Sequence, residues 1–106
     1  MSNKNLIELA KSYKRSGNLY EAISLYRQNV KLNDDNFLSH HLLAQALAEN
    51  NELDEAVYEF EKAIEQNLSS LESYFGLVKA KKKYSRIARY ESIAQSTHSN
   101  HPGHNE

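Results

Sequence analysis

The 106-residue chain has no cysteine and no tryptophan, only three glycines, and a single proline, Pro102. Without cysteine there can be no disulfide, thiolate zinc site, iron–sulfur cluster or cysteine nucleophile, and the redox compartment is left open. So little glycine and proline cannot supply the turns of a sandwich or barrel, whereas abundant Ala, Leu, Glu and Lys favour helix, so the expected fold class is all-α. An excess of one charge is missing as well. Thirteen Lys and Arg stand against fourteen Asp and Glu, a net charge of −1, which removes any global attraction to nucleic acid or an anionic membrane. No apolar run approaches the roughly 18 residues that would span a bilayer. The first twelve residues are interrupted by Asn3, Lys4, Asn5, Glu8 and Lys11, unlike a secretory signal. With a mean hydropathy of −0.75, a soluble cytoplasmic chain is expected, of a length that suits one domain.

Catalytic patterns are also missing. There is no zinc-protease helix motif, no glycine-rich phosphate loop and no recognisable nucleophile setting. His40 and His41 are adjacent, so on a helix they point about 100° apart and do not converge on one metal. One is expected to pack and the other to face the binding groove. Neither an enzyme, a cofactor nor a metal site is predicted.

What the chain does contain is an internal repeat. Gly17-Asn18-Leu19-Tyr20-Glu21-Ala22-Ile23 aligns with Asn51-Glu52-Leu53-Asp54-Glu55-Ala56-Val57 at an offset of 34 residues, and the offset also pairs Leu9-Ala10 with Leu43-Ala44, Tyr13 with Leu47, Val30 with Ile64 and Asn33 with Asn67. Within each unit the apolar residues recur at helical spacing, first as Leu6, Leu9, Ala10 and Tyr13, then as Leu19, Ala22, Ile23, Tyr26 and Val30, which predicts two amphipathic helices per unit. Gly17 can end the first helix in a left-handed conformation, and Asn18 with Glu21 resembles a capping box for the second. Asn51 takes the place of Gly17 in the second unit, and asparagine is the next-best left-handed residue. Ser69 with Glu72 gives a further start signal. The small residues Ala10 with Ala22, and Ala44 with Ala56, sit where two helices of a hairpin can approach closely.

These features resemble the tetratricopeptide repeat, a family built from a 34-residue helix–turn–helix unit with a fixed pattern of large and small apolar residues. Leu6, Leu9, Ala10, Tyr13, Ala22, Tyr26 and Val30 fall at signature places in unit one, although Asn29 and Asp34 stand where the family has Ala and Pro. Leu43, Ala44, Leu47, Ala56, Phe60 and Ala63 do so in unit two. The resemblance implies three stacked hairpins in a right-handed superhelix over residues 1–97, with units 3–36, 37–70 and 71–97, while Pro102-Gly103 argues against continued helix and makes 98–106 an expected disordered, histidine-containing tail. In unit three Tyr74, Leu77, Ile87 and Ala94 keep register, but Lys81 replaces an apolar residue and Val78 faces Tyr90 where two small residues belong. The third hairpin is therefore expected to be atypical, either a cap or an edge for self-association.

Function is then expected on the concave face, lined by the first helix of each unit. The resemblance places Lys11, Lys14 and Arg15 there, then His41 and Gln45, then Phe75, Lys79, Lys82 and Lys83, and makes the groove largely basic. Residues 37–70 hold one lysine against seven acids, net −6, with most of the acids on the outward helix, whereas 3–36 carry +2 and 71–106 carry +3. The predicted role is a non-catalytic adaptor that binds another protein, in particular an acidic segment or a C-terminal carboxylate. The clamp that grips chaperone tails in this family is absent, since Ile7, Lys11, Leu42, Glu72 and Gly76 occupy its places. A nucleic-acid partner, using Lys79, Lys81, Lys82, Lys83, Arg86 and Arg89 with Tyr84 and Tyr90 for stacking, ranks second. His98, His101 and His104 recur every three residues in the tail, a spacing that could hold a transition metal, although a solvated end is the reading preferred.

Overall fold

The computed structural model describes residues 3–99, with the side chains of residues 5–94. The expectations for His98, His101 and His104 lie outside the described side chains. The described chain contains no strand and forms α1 (Asn3–Arg15), α2 (Leu19–Leu32), α3 (Phe37–Glu49), α4 (Leu53–Gln66) and α5 (Leu71–Ser99). The helices pack in chain order, α1 on α2, α2 on α3, α3 on α4 and α4 on α5, with α5 also touching α3. The result is an elongated stack of 62 × 30 × 20 Å, all-α and built from stacked hairpins as expected.

The hairpin turns follow from two residues 34 positions apart. Gly17 has φ 87° and Asn51 has φ 62°. Each sits just past a helix end, where the left-handed conformation turns the next amides back onto the last carbonyls. In the first turn Gly17 N–H donates to Lys14 O (3.0 Å) and Asn18 N–H to Tyr13 O (2.8 Å); in the second Asn51 N–H donates to Ala48 O (3.1 Å) and Glu52 N–H to Leu47 O (2.9 Å). Asn18 Oδ1 then accepts from Glu21 N–H at 3.3 Å, so the helix that follows starts capped. The longer connections between units also repeat. Asn36 Oδ1 accepts from the amides of Leu38 (2.9 Å) and Ser39 (3.2 Å) to start α3, and Ser70 Oγ accepts from Ser73 N–H (3.2 Å) to start α5. The cap of α5 is thus Ser70, one residue later than the Ser69 start read from the sequence.

The core runs along the seam between the helices. Ala10, Ala22, Ala44 and Ala56 are fully buried, and around them pack Ile23, Tyr26, Leu43, Leu47, Leu53 and Phe60. Each large apolar side chain removed from water contributes about 1.5–3 kcal/mol. The alanines add little area of their own, but they set how near the helices come and therefore how well their larger neighbours interlock.

Unit three departs from the expected hairpin, because α5 runs unbroken for 29 residues. Its place in the 34-residue period explains why. Ser85 occupies the position of Gly17 and Asn51. A left-handed conformation costs an ordinary residue about 1–2 kcal/mol, and Lys83, Tyr84 and Arg86 beside it offer no glycine or asparagine instead. The helix continues. Val78 and Tyr90, read as facing residues of a hairpin, lie on one helix about 18 Å apart along its axis, and both are exposed.

The packing of α3 against α4 gives a direct test. Ala56→Leu puts three extra heavy atoms into a fully buried site, and is expected to cost about 1–3 kcal/mol, measured by urea denaturation. An unchanged midpoint would show that α4 does not approach its partner this closely.

Candidate functional site

A cleft of about 450 Å³ opens between α3 and α5, with α4 beneath it. Leu53, Phe60 and Ala80 form an apolar floor, and Gln45, Ala48 and Glu49 line the α3 wall. The α5 wall consists of Glu72, Phe75, Gly76, Lys79 and Lys83, residues three, four and seven apart that share one helical face. Gly76 is what lets this wall approach. A Cβ there would overlap Cε1 and Cζ of the buried Phe60 ring, so the α5 backbone rests directly against the ring.

The expected groove residues divide. Gln45, Phe75, Lys79 and Lys83 are brought together in the cleft. Lys82 turns away and joins Lys81, Ser85, Arg86 and Arg89 on another side of α5. Lys14 reaches the rim only through an ion pair with Glu49 Oε2 at 3.0 Å, while the partly buried Lys11 and the exposed Arg15 remain on α1 outside the cleft. The electrostatics are correspondingly mixed, with Lys79 and Lys83 set against Glu49 and Glu72 rather than a uniformly basic lining.

His41 sits below the surface, 4% exposed. Its ring stacks on Phe37 (centroids 5.6 Å apart) and meets Phe60 edge-on (5.8 Å), and Nδ1 lies 2.8 Å from Ser73 Oγ. Its place is under the cleft rather than on its wall, and it ties α3 to α5 across two units. Burial holds the His41 pKa below its ordinary value, with the charge of Glu72 opposing the shift in part. His40 is buried too. Nε2 lies 2.6 Å from the Asp34 carbonyl oxygen, to which it can only donate, and Nδ1 lies 2.6 Å from Glu59 Oε1. These two contacts lock the α2–α3 connection onto α4. Both histidines are therefore internal, where one of the adjacent pair was expected to face the groove.

Phe60, Glu72 and Gly76 were not read as parts of the site. The detectable signal was Gly76 itself, a glycine inside a helical pattern, which marks a close backbone approach. Among the described residues no cluster of three or more His, Asp or Glu is poised to hold a metal, and no helix is long and apolar enough to cross a membrane.

Stacked helical hairpins with a lined cleft define a repeat scaffold of the tetratricopeptide type, a class of protein–protein interaction modules that is generally non-catalytic. A family model described as anaphase-promoting complex, cyclosome, subunit 3 matches residues 1–63, which span α1 to α3 and most of α4. The chain belongs to this family of tetratricopeptide-type repeats. No match is found among curated proteins.

The buried His41 makes stability depend on pH in a definite direction. Above about pH 6.5 the imidazole is neutral in folded and unfolded chains alike; below it the unfolded chain takes up a proton that folded His41 resists, so stability falls as the pH drops. In His41→Phe the loss of unfolding free energy between about pH 7 and pH 5 is expected to be smaller than in the wild type. Equal losses in the two proteins would mean that His41 titrates in the folded state as it does in the unfolded.

Proposed function

We propose that the chain is an adaptor that holds a peptide segment of a partner protein in the cleft between α3 and α5, working in the cytoplasm and without catalysis. The observation that carries this reading is the pairing of an apolar floor, Leu53, Phe60 and Ala80, with an exposed Phe75 and two lysines on one wall. An extended segment that sets an apolar side chain on Phe60 and Phe75, and a carboxylate against Lys79 and Lys83, matches both surfaces. Glu49 on the α3 wall and Glu72 on the α5 wall favour a donor or a basic residue elsewhere along the segment. This makes the ligand mixed in charge, a narrower class than the acidic peptide expected from the sequence. The family's description as a subunit of a complex suits a chain that acts inside an assembly.

A second reading, association with nucleic acid, draws on the grouping of Lys81, Lys82, Arg86 and Arg89 on α5 away from the cleft. The two sites separate in one experiment. Capture from native lysate is compared at low and high salt for the wild type, Lys79→Glu/Lys83→Glu and Lys82→Glu/Arg86→Glu/Arg89→Glu, with a parallel nuclease treatment. The cleft variant is expected to lose its protein partner by about tenfold, equivalent to about 1.4 kcal/mol, and the wild-type partner to survive nuclease. Loss only in the triple variant, together with sensitivity to nuclease, would move function to the second site.

A further inference from the structure

The repeat provides its own standard for which surfaces should be covered. In units one and two the first helix turns one face toward the second helix of its hairpin, and the residues there are buried: Leu6 is 3% and Ala10 0% exposed in α1, His40 2% and Ala44 0% exposed in α3. The 34-residue period carries these places to Tyr74 and Val78 of α5, which are 41% and 49% exposed. The helix that would cover them does not form, because the chain runs straight past Ser85. Leu71, Tyr74 and Val78, spaced i, i+3 and i+7, make a bare apolar stripe. Lys81, at the place of Tyr13 and Leu47, closes the stripe with Lys82 beside it, and Lys81 makes only a loose exposed pair with Glu61 at 4.0 Å.

We propose that this face of α5 is completed by an acidic amphipathic helix from a partner protein, lying antiparallel to α5 in the place of the missing second helix of unit three. The surface sets three requirements. The incoming helix needs an apolar stripe to cover Tyr74 and Val78. It needs a small residue opposite Val78, since the equivalent crossings in units one and two are alanine on alanine and Val78 already fills part of that space. It needs carboxylates toward Lys81, Lys82 and Arg86. A second copy of α5 does not qualify, because its own candidate segment would bring Arg86 and Arg89 against these lysines and Tyr90 to the small-residue place. The chain's own α4 shows what does qualify: it carries Ala56 at that place and five acids against one lysine. This face is separate from the cleft, and binding here does not depend on the cleft reading.

The test is a titration of the isotope-labelled full chain with a synthetic, end-capped peptide of residues 53–66, followed by backbone NMR shifts. Saturable shifts are expected at Tyr74, Val78 and Lys81 but not at Gln45 or in the α3–α4 seam at Ala44. Val78→Glu, an exposed change whose fold is checked by circular dichroism, is expected to weaken binding by about tenfold or more, and an Ala56→Leu peptide to bind weaker by a similar factor. The cleft variant Phe75→Ala is expected to bind the peptide as the wild type does. No saturation by about 1 mM peptide would overturn the proposal, as would shifts confined to the cleft or displacement of α4 seen at Ala44. Sedimentation showing a dimer of the free chain that Val78→Glu dissociates would put a second copy on this face and overturn it equally.

Discussion

The architecture depends on a backbone constraint of one residue per unit. Within a hairpin the tight reversal falls on a residue that accepts positive φ at modest cost, and this chain supplies one at Gly17 and another at Asn51. Each brings two amphipathic helices face to face, and the alanines then allow contact. Where the third such residue would fall there is Ser85, and the same physics that closes two hairpins leaves α5 straight. The bare stripe takes its form from this difference.

Coupling between the units rests on buried polar contacts as much as on apolar packing. His40 holds the α2–α3 connection to Glu59 of α4, and His41 holds α3 to Ser73 of α5. Each would be costly to break on one side, because the remaining group would stay buried without its partner. In a quasi-one-dimensional stack, where each element touches little beyond its neighbours, such contacts let one unit stabilise the next. Phe60 serves the same end, being at once the edge partner of the His41 ring, the support for Gly76 and part of the cleft floor.

Much of the fold was legible in the sequence because it is local and it repeats. Turn chemistry at Gly17-Asn18, helical spacing and the 34-residue offset act within a few residues of one another and agree. The straight α5 was legible in part. Lys81, Val78 and Tyr90 signalled that a normal hairpin could not close, but the family pattern suggested an altered hairpin, while the missing left-handed residue at position 85 was the stronger local fact. The site was harder, since side-chain direction over long-range contacts decides it. Gln45, Phe75, Lys79 and Lys83 converge as their spacing suggested. His41 does not, because Phe37, Phe60 and Ser73 enclose it from three different elements, and Lys82 lies about 60° around the helix from Lys79 and about 100° from Lys83, to the same side of both.

The length of α5 divides its stability in two. Up to Ala80 the helix is anchored by Ser73, Gly76 and a buried seam, whereas every described side chain from Lys81 to Ala94 is exposed. Helices with little burial are marginal at this length, so amide protons in the first half of α5 should open only with the whole stack while those in the second half exchange through local fraying. One continuous helix thus joins a well-covered and an exposed part of the described chain, and a contact made on its far half would stiffen a segment that the rest of the protein covers little.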